Sequence, residues 1–431
     1  MSLRPRTRPP AKYQNSISSV EQSSSTSRRH RPDYGVFVLT SLLLLIGLVV
    51  VYSISPALAA SQHISQNYFI TKQLIDVGLA VAGFFVAANL AIRRWQGLSN
   101  PLLIIALFGS VLVLVTPINE LYPAHRWIRL GSFSFQIVEL IKLALIVWLA
   151  NFLARQWALG KLADLKATLR PLLFILLAIG IVVAKLQSDL GSAAVAIAIM
   201  GLMAFMVGIP LKKVALISVG IILLLTLAIA STGYRRDRLA AYLHPGKDCQ
   251  DTSYQACQAL ISVGSGGIFG LGLGYGVQAY GYQPEAANDS IFAILAEKFG
   301  FVGTTMIIVL YGIFIARLKK IIQRSSDQFS RLIVVGVLAW LSTQMIINIG
   351  GMIGLLPLKG ITLPLISQGG TSMVFLTVAL GIVFQISRYT SYNVTQPKIS
   401  QPSSTGSDYG SSDRRGFRRP YNTPTAARPR T

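Results

Sequence analysis

Two carboxylates stand close together in Pro284-Glu285-Ala286-Ala287-Asn288-Asp289, directly before the apolar run that opens Ser290-Ile291-Phe292. Acids are scarce here, 16 among 431 residues, so a pair at the mouth of an apolar segment points to a site rather than a solvated surface. A carboxylate at such an edge, within reach of water, can act as a general base towards a hydroxyl. Asp289 or Asn288 can equally cap the helix that begins near Ser290, and the two roles are compatible. Glu285, a turn earlier, can tune Asp289, hold a cation, or be a solvated loop acid.

Other polar residues stand out against the apolar background. Arg126-Trp127-Ile128-Arg129 reads as an interfacial anchor, yet arginine is also a good bidentate phosphate ligand. Glu139 and Lys142, three apart on one helical face, are expected to pair inside a span. Lys185 and Asp189 bracket Gln187 at a short break between spans and can pair as well. Lys359, between Pro357 and Pro364, can neutralise a phosphate or snorkel at an interface. The glycine run after Gly264 contains GxGxxG-like matches. With no preceding strand and no βαβ unit, it reads as a partly re-entrant loop rather than a dinucleotide site. Cys249 and Cys257 are compatible with one loop disulfide or with free thiols.

The elements that carry these residues are membrane spans. The chain is 52% hydrophobic and only 13% charged, with mean hydropathy +0.55. Apolar runs fall at 34–55, 73–91, 101–116, 137–154, 171–186, 190–208, 213–230, 290–316, 331–352 and 370–388, many close to the ~20 residues a bilayer requires. The expected fold is therefore an all-α polytopic membrane protein of about ten transmembrane helices. The first run starts near Tyr34 behind a polar segment and lacks a small-residue cleavage pattern. It is expected to persist as a span rather than be removed as a signal peptide.

The net charge of +23 does not signal nucleic acid, because of where it sits. The segments 1–33 and 389–431, both rich in Ser, Arg and Pro, carry about +10 of it and read as disordered basic tails. Most of the remainder lies in short loops on one side: Arg93-Arg94, 155–170, Lys212-Lys213 and 317–331. By the positive-inside rule these loops and both tails are cytoplasmic. The loops 56–72, 117–136, 187–189, 231–289 and 353–369 are then extracytoplasmic, and 231–289, between the seventh and eighth spans, is the large one.

With these motifs in place, the chain resembles the SEDS family (shape, elongation, division and sporulation), the FtsW/RodA/SpoVE-type peptidoglycan glycosyltransferases, over about 33–389. The resemblance is carried by Asp33-Tyr34 through Val51-Tyr52-Ser53, Arg126-Trp127-Ile128 with Leu130-Gly131, Asp189-Leu190-Gly191, and Pro284-Glu285-Ala286 through Asp289-Ser290-Ile291-Phe292. The strongest part is Asn348, Gly354, Pro357, Gly360, Ser367 and Gly369-Gly370-Thr371-Ser372. Departures occur at Ile137-Val138, Ser188, Ala287 and Gln368, and none removes a charged group with an assigned role.

The resemblance implies a ten-span domain over 34–388 that polymerises lipid II into β-1,4 glycan with inversion, most like the division branch of the family. It implies Asp289 as the catalytic base. Arg126, Lys359, Glu285 and Ser367 are expected at the substrate and pyrophosphate, with Glu139, Lys142, Asp189 and Trp127 in support. A divalent cation, Mg2+ or Mn2+, is possible near Asp289 and Glu285, and a class B penicillin-binding transpeptidase is the implied partner. The expected location is the bacterial cytoplasmic membrane at the division septum. Two other classes stay open: a lipid II flippase or other transporter built on Lys185, Asp189, Glu139 and Lys142, and a non-enzymatic division scaffold.

Overall fold

The structure is a computed structural model that describes residues 28–29, 31–115, 127–130, 133–187, 189–210, 242, 249–250 and 253–390. The span expected at 213–230, Arg126, Ser188, most of the two tails and the side chain of Lys185 lie outside the described residues.

The helices are α1 (Tyr34–Gln62), α2 (Tyr68–Asn89), α3 (Ile92–Gly97), α4 (Ser99–Val115), α5 (Ile137–Ala158), α6 (Arg170–Ile179) and α7 (Leu190–Val207). After the undescribed stretch come α8 (Tyr254–Ser265), α9 (Ile291–Arg324), α10 (Gln328–Met352) and α11 (Thr371–Ile386). Among the described residues seven helical stretches are long and apolar enough to cross a membrane, and two shorter apolar helices, from α4 and α11, accompany them. The protein is thus a polytopic helical membrane protein, and nine of the expected spans coincide with helices. Helices dominate because a chain in hydrocarbon must satisfy its own backbone groups.

The fold is not purely helical. Two short antiparallel ribbons occur, β1 (Arg28–Arg29) with β4 (Tyr389–Thr390) and β2 (Trp127–Leu130) with β3 (Phe133–Gln136). In the second, Trp127 pairs with Gln136 and Leu130 with Phe133. Both lie beyond the apolar helices, in segments read from sequence as loop or tail. The large loop also contains α8, which the sequence reading left as loop.

Helices α5 and α10 form the buried centre, with α7, α9 and α4 packed around them and α11 against α2. Trp340, Tyr311 and Phe314 are among the largest fully enclosed side chains. Local capping sets several helix starts. Asp33 accepts from Gly35 N–H at 2.9 Å, Asp189 from Ser192 N–H at 3.0 Å and Asp327 from Ser330 N–H at 2.8 Å. The fifth span is irregular: α6 is short and is flanked by π-helical turns at Leu165–Leu169 and Gly180–Leu186.

Helix α9 is broken at Gly300, whose φ of 63° and ψ of −163° lie outside helical space. The break frees backbone groups inside an apolar bundle, and the glycine-rich segment before α9 satisfies them. Leu271 N–H donates to Glu297 O and Gly272 N–H to Lys298 O, both at 2.9 Å. Phe301 N–H donates to Gly267 O at 2.9 Å and Val302 N–H to Ile268 O at 3.0 Å. The Glu297 carboxylate accepts from Val277 N–H at 3.0 Å and Gln278 N–H at 3.3 Å, and Lys298 Nζ donates to Tyr275 O. The glycine run is therefore a folded wrap around a broken helix.

Candidate active site

The segments read as extracytoplasmic converge at one end of the bundle. Gln368 N–H donates to Ala287 O at 2.9 Å, and its Nε2 donates to Phe69 O at 2.7 Å. Gln136 N–H donates to Thr371 Oγ1 at 3.2 Å, which docks the β2–β3 ribbon on the start of α11. At the opposite end Asp33 N–H donates to Ser387 Oγ at 2.9 Å, joining the first and last helices.

Asp289 sits at this convergence, half-buried, one residue before the α9 N-cap. The N-cap is Ser290, whose own side chain makes no capping hydrogen bond, so the N-cap position falls one residue after Asp289. Asn288 Nδ2 donates to Glu285 Oε2. Ser290 is fully buried, and its hydroxyl accepts from Gln255 Nε2 of α8 at 3.2 Å. A Cβ at Gly360 would lie 3.5 Å from Asp289 Oδ2, so the carboxylate faces the exposed backbone of the turn that bears Lys359.

The remaining candidates distribute as follows. Lys359 is half-buried beside the start of α7, where a Cβ on Gly191 would come within 3.3 Å of its own Cβ. Glu285 is exposed and has a left-handed φ of 51°, a costly state for a residue other than glycine. Ser367 is buried, and its Oγ accepts from Leu363 N–H at 2.8 Å, closing the turn through Pro364. Trp127 is half-buried in β2, and Asp189 caps α7.

Glu139 and Lys142 form a buried ion pair at 2.8 Å in the first turns of α5. Lys142 Nζ also donates to Gln344 Oε1 at 3.3 Å and lies 4.9 Å from the centre of the Trp340 ring. Gln344 Nε2 reaches Thr362 O at 3.0 Å and Ser372 Oγ at 3.3 Å, so the pair is wired to the Lys359 loop.

The structure adds features to which sequence reasoning gave no role, or which it left open. Gln344 and Asn348, one turn apart on α10, hold the loop from beneath; polar residues four apart in an apolar span were the available signal. A cleft of ≈ 690 Å3 opens between α2, β3 and α11, with Ile75, Phe135, Val374 and Phe375 on its apolar walls and Lys72 and Thr371 among its polar groups. Asp76 also lines it, buried, with Oδ2 making no hydrogen bond. Cys249 and Cys257 are joined as a disulfide, resolving the alternative the sequence left open.

Two carboxylates, Asp289 and Glu285, supply hard oxygen donors of the kind Mg2+ or Mn2+ takes together with phosphate and water. Among the described residues no group of three or more His, Cys, Asp or Glu side chains is placed to hold a metal. The described side chains alone therefore do not make a protein-only metal cage.

The family of cell cycle proteins uniting FtsW, RodA and SpoVE matches residues 34–392. Stage V sporulation protein E of Bacillus subtilis (strain 168) is 34% identical over 369 residues, covering 85% of this chain and 100% of that protein. A Saccharophagus degradans protein named "Probable peptidoglycan glycosyltransferase FtsW" is 36% identical over 367 residues, 83% of this chain and 92% of its own. Among solved structures, a chain described under structural coordination of polymerization and crosslinking by a peptidoglycan synthase complex superposes with TM-score 0.69. Its identity is 27%, over 83% of this chain and 98% of that one. The rod shape determining protein RodA of Thermus thermophilus gives TM-score 0.58 at 27% identity, over 83% and 97% of the two chains.

Proposed function

The chain belongs to the FtsW, RodA and SpoVE family of cell cycle proteins and is a multi-pass bacterial membrane peptidoglycan glycosyltransferase of cell division; we propose that it polymerises lipid II, with Asp289 as general base. The observation that carries the base assignment is the placement of the Asp289 carboxylate against the exposed Gly360 turn, beside Lys359. With glycine at 360, no side chain from that turn crowds Asp289 Oδ2.

In this reading the 4-hydroxyl of the acceptor GlcNAc attacks the anomeric carbon of the donor MurNAc. Its proton passes to Asp289, a step that contributes about 10²–10⁴-fold when the base is well placed. The bond from the anomeric carbon to the pyrophosphate oxygen breaks, and undecaprenyl pyrophosphate leaves from the opposite face, converting an α link into a β-1,4 link. The chain must then stabilise the departing diphosphate. Lys359 and Arg126 are assigned to that charge, with Trp127 anchoring the ribbon next to Arg126. A Mg2+ or Mn2+ ion held by Asp289 and Glu285 would supply further neutralisation when bound. Ser367 acts through the turn it closes, and Glu139, Lys142 and Asp189 by holding α5 and α7 under the site.

The cleft beside α2 supports a lipid substrate, since its walls are apolar and Lys72 is a cation for a phosphate. The isoprenoid tail stays in the bilayer while the sugars reach the loops. The proposed setting is the cytoplasmic membrane at the septum, with tails 1–33 and 389–431 inside and 231–289 outside. A class B penicillin-binding transpeptidase is the proposed partner, supported by the likeness to a chain of a synthase complex.

Polymerisation of purified lipid II, with the transpeptidase present, tests the assignment. The wild-type protein is expected to make long glycan and Asp289→Asn none, while both bind the partner. Equal product from both would remove Asp289 as base.

A further inference from the structure

The side chain of Asn348 makes one connection that burial near the end of a membrane helix does not require. It lies on α10 with 1% exposure, and its Nδ2 donates to two main-chain oxygens at once, Asp289 O and Ile361 O, each at 2.7 Å. Those oxygens belong to the two segments that bear Asp289 and Lys359. Ile361 N–H in turn donates to Lys359 O at 2.6 Å, closing the turn around Gly360. One amide therefore spans a gap that the proposed chemistry needs to hold constant, that between the base and one of the cations assigned to the leaving group.

The other end of the same amide is informative. Asn348 Oδ1 is buried and makes no hydrogen bond. Burying an unmatched acceptor is unfavourable, and a leucine of similar size would fill the space without that cost. Packing does not account for an asparagine at this place, whereas two donors on one nitrogen do. The neighbour one turn back, Gln344, is used differently: its Oε1 accepts from Lys142 and Trp340, and its Nε2 donates to Thr362 and Ser372. Gln344 ties the loop to the interior ion pair; Asn348 ties it to Asp289.

We propose that Asn348 is a positioning residue of the transferase, which fixes the Asp289 segment and the Lys359–Ile361 turn at the separation required for proton removal and diphosphate departure. It touches neither substrate nor reacting atoms and acts through backbone placement. The proposal rests on the reading of Asp289 as base and Lys359 as diphosphate ligand. Its signature is a loss in turnover with substrate binding retained, because lipid II is held by the cleft and loops while only the reacting geometry is disturbed.

The test uses the full chain in complex with its transpeptidase. Initial rates of lipid II polymerisation are measured over graded lipid II for wild type, Asn348→Asp and Asn348→Ser, alongside thermal stability and recovery of the complex by size exclusion. Asn348→Asp removes both donors and keeps the shape; Asn348→Ser retains one donor in a smaller side chain and serves if the aspartate variant does not fold. Per folded complex, kcat is expected to fall about 10- to 100-fold with KM within about twofold of wild type, as misplacement of a base predicts. Wild-type kcat in a folded variant overturns the proposal. So does activity that falls only in step with the folded fraction, since the side chain would then be structural alone. Asp289→Asn, run in parallel, separates the premise: if it polymerises at the wild-type rate, the base assignment itself has failed and Asn348 has no base to position.

Discussion

Gly270 and Gly300 meet backbone to backbone inside the membrane domain. A Cβ built on Gly300 would lie 2.3 Å from the Gly270 nitrogen, and one on Gly270 would lie 2.2 Å from Lys298 O. Both residues have positive φ, 81° and 63° respectively. The contact seals the break in α9 and fixes where the segment leading to Asp289 enters the bundle.

Gly300→Ala is accordingly expected to destabilise the protein by more than about 1 kcal/mol, since strain and collision both oppose it. Thermal unfolding in detergent measures this. Gly264→Ala is the comparison, because a Cβ there meets nothing within 4 Å and the backbone has no positive φ. An equal shift in the two variants would contradict the role given to the contact.

Lys142→Met should cost about 3–5 kcal/mol, because it strands the buried Glu139 carboxylate. Glu139→Gln combined with Lys142→Met should regain much of the loss, since a neutral pair leaves no uncompensated charge. A double-mutant cycle on unfolding free energies reads the coupling directly.

For the cleft, Lys72→Ala is expected to raise KM for lipid II about tenfold, the lower end for loss of a charged hydrogen bond, with kcat changed less. Steady-state rates over graded lipid II decide it. A pure fall in kcat would place Lys72 outside the binding step.

Reduction of Cys249–Cys257, or Cys257→Ser, should weaken the anchoring of α8 by roughly 2 kcal/mol, as opening a short closed loop predicts. Hydrogen exchange over Tyr254–Ser265 should rise most, and polymerisation should fall through the Gln255–Ser290 link. Unchanged exchange in α8 would show that packing alone holds the helix.

Chelation with EDTA is expected to slow polymerisation, and Mg2+ or Mn2+ to restore it, with Glu285→Ala requiring more metal for half-recovery. Full activity after exhaustive chelation would remove the cation from the site.

The spans were legible in the sequence because hydrophobic run length is a local property that the bilayer reads directly. So was the helix start at Ser290, and so was the Glu139–Lys142 pair, whose members are three apart on one face. Asp289, Lys359 and the family signature were visible as residues and spacings. Their arrangement was not. Asn288, Asp289 and Ser290 are all residue types that cap helices, so the sequence did not say that Ser290 would stand at the N-cap. The break in α9 was hidden because glycine alone does not interrupt a membrane helix. It does so here because a loop more than twenty residues earlier supplies the missing hydrogen bonds.

The sequence by itself determined a helical membrane protein, its family, and the charged residues available for glycosyl transfer. Only the tertiary structure decided which of them share a site, since Asn348 reaches Asp289 across 59 residues and Gln368 reaches Phe69 across 299. Local hydrophobicity and capping act over a few residues, whereas the placement of the Asp289 segment against the Lys359 turn depends on helices far apart in sequence closing on one another. No periodicity in the chain encodes such a contact.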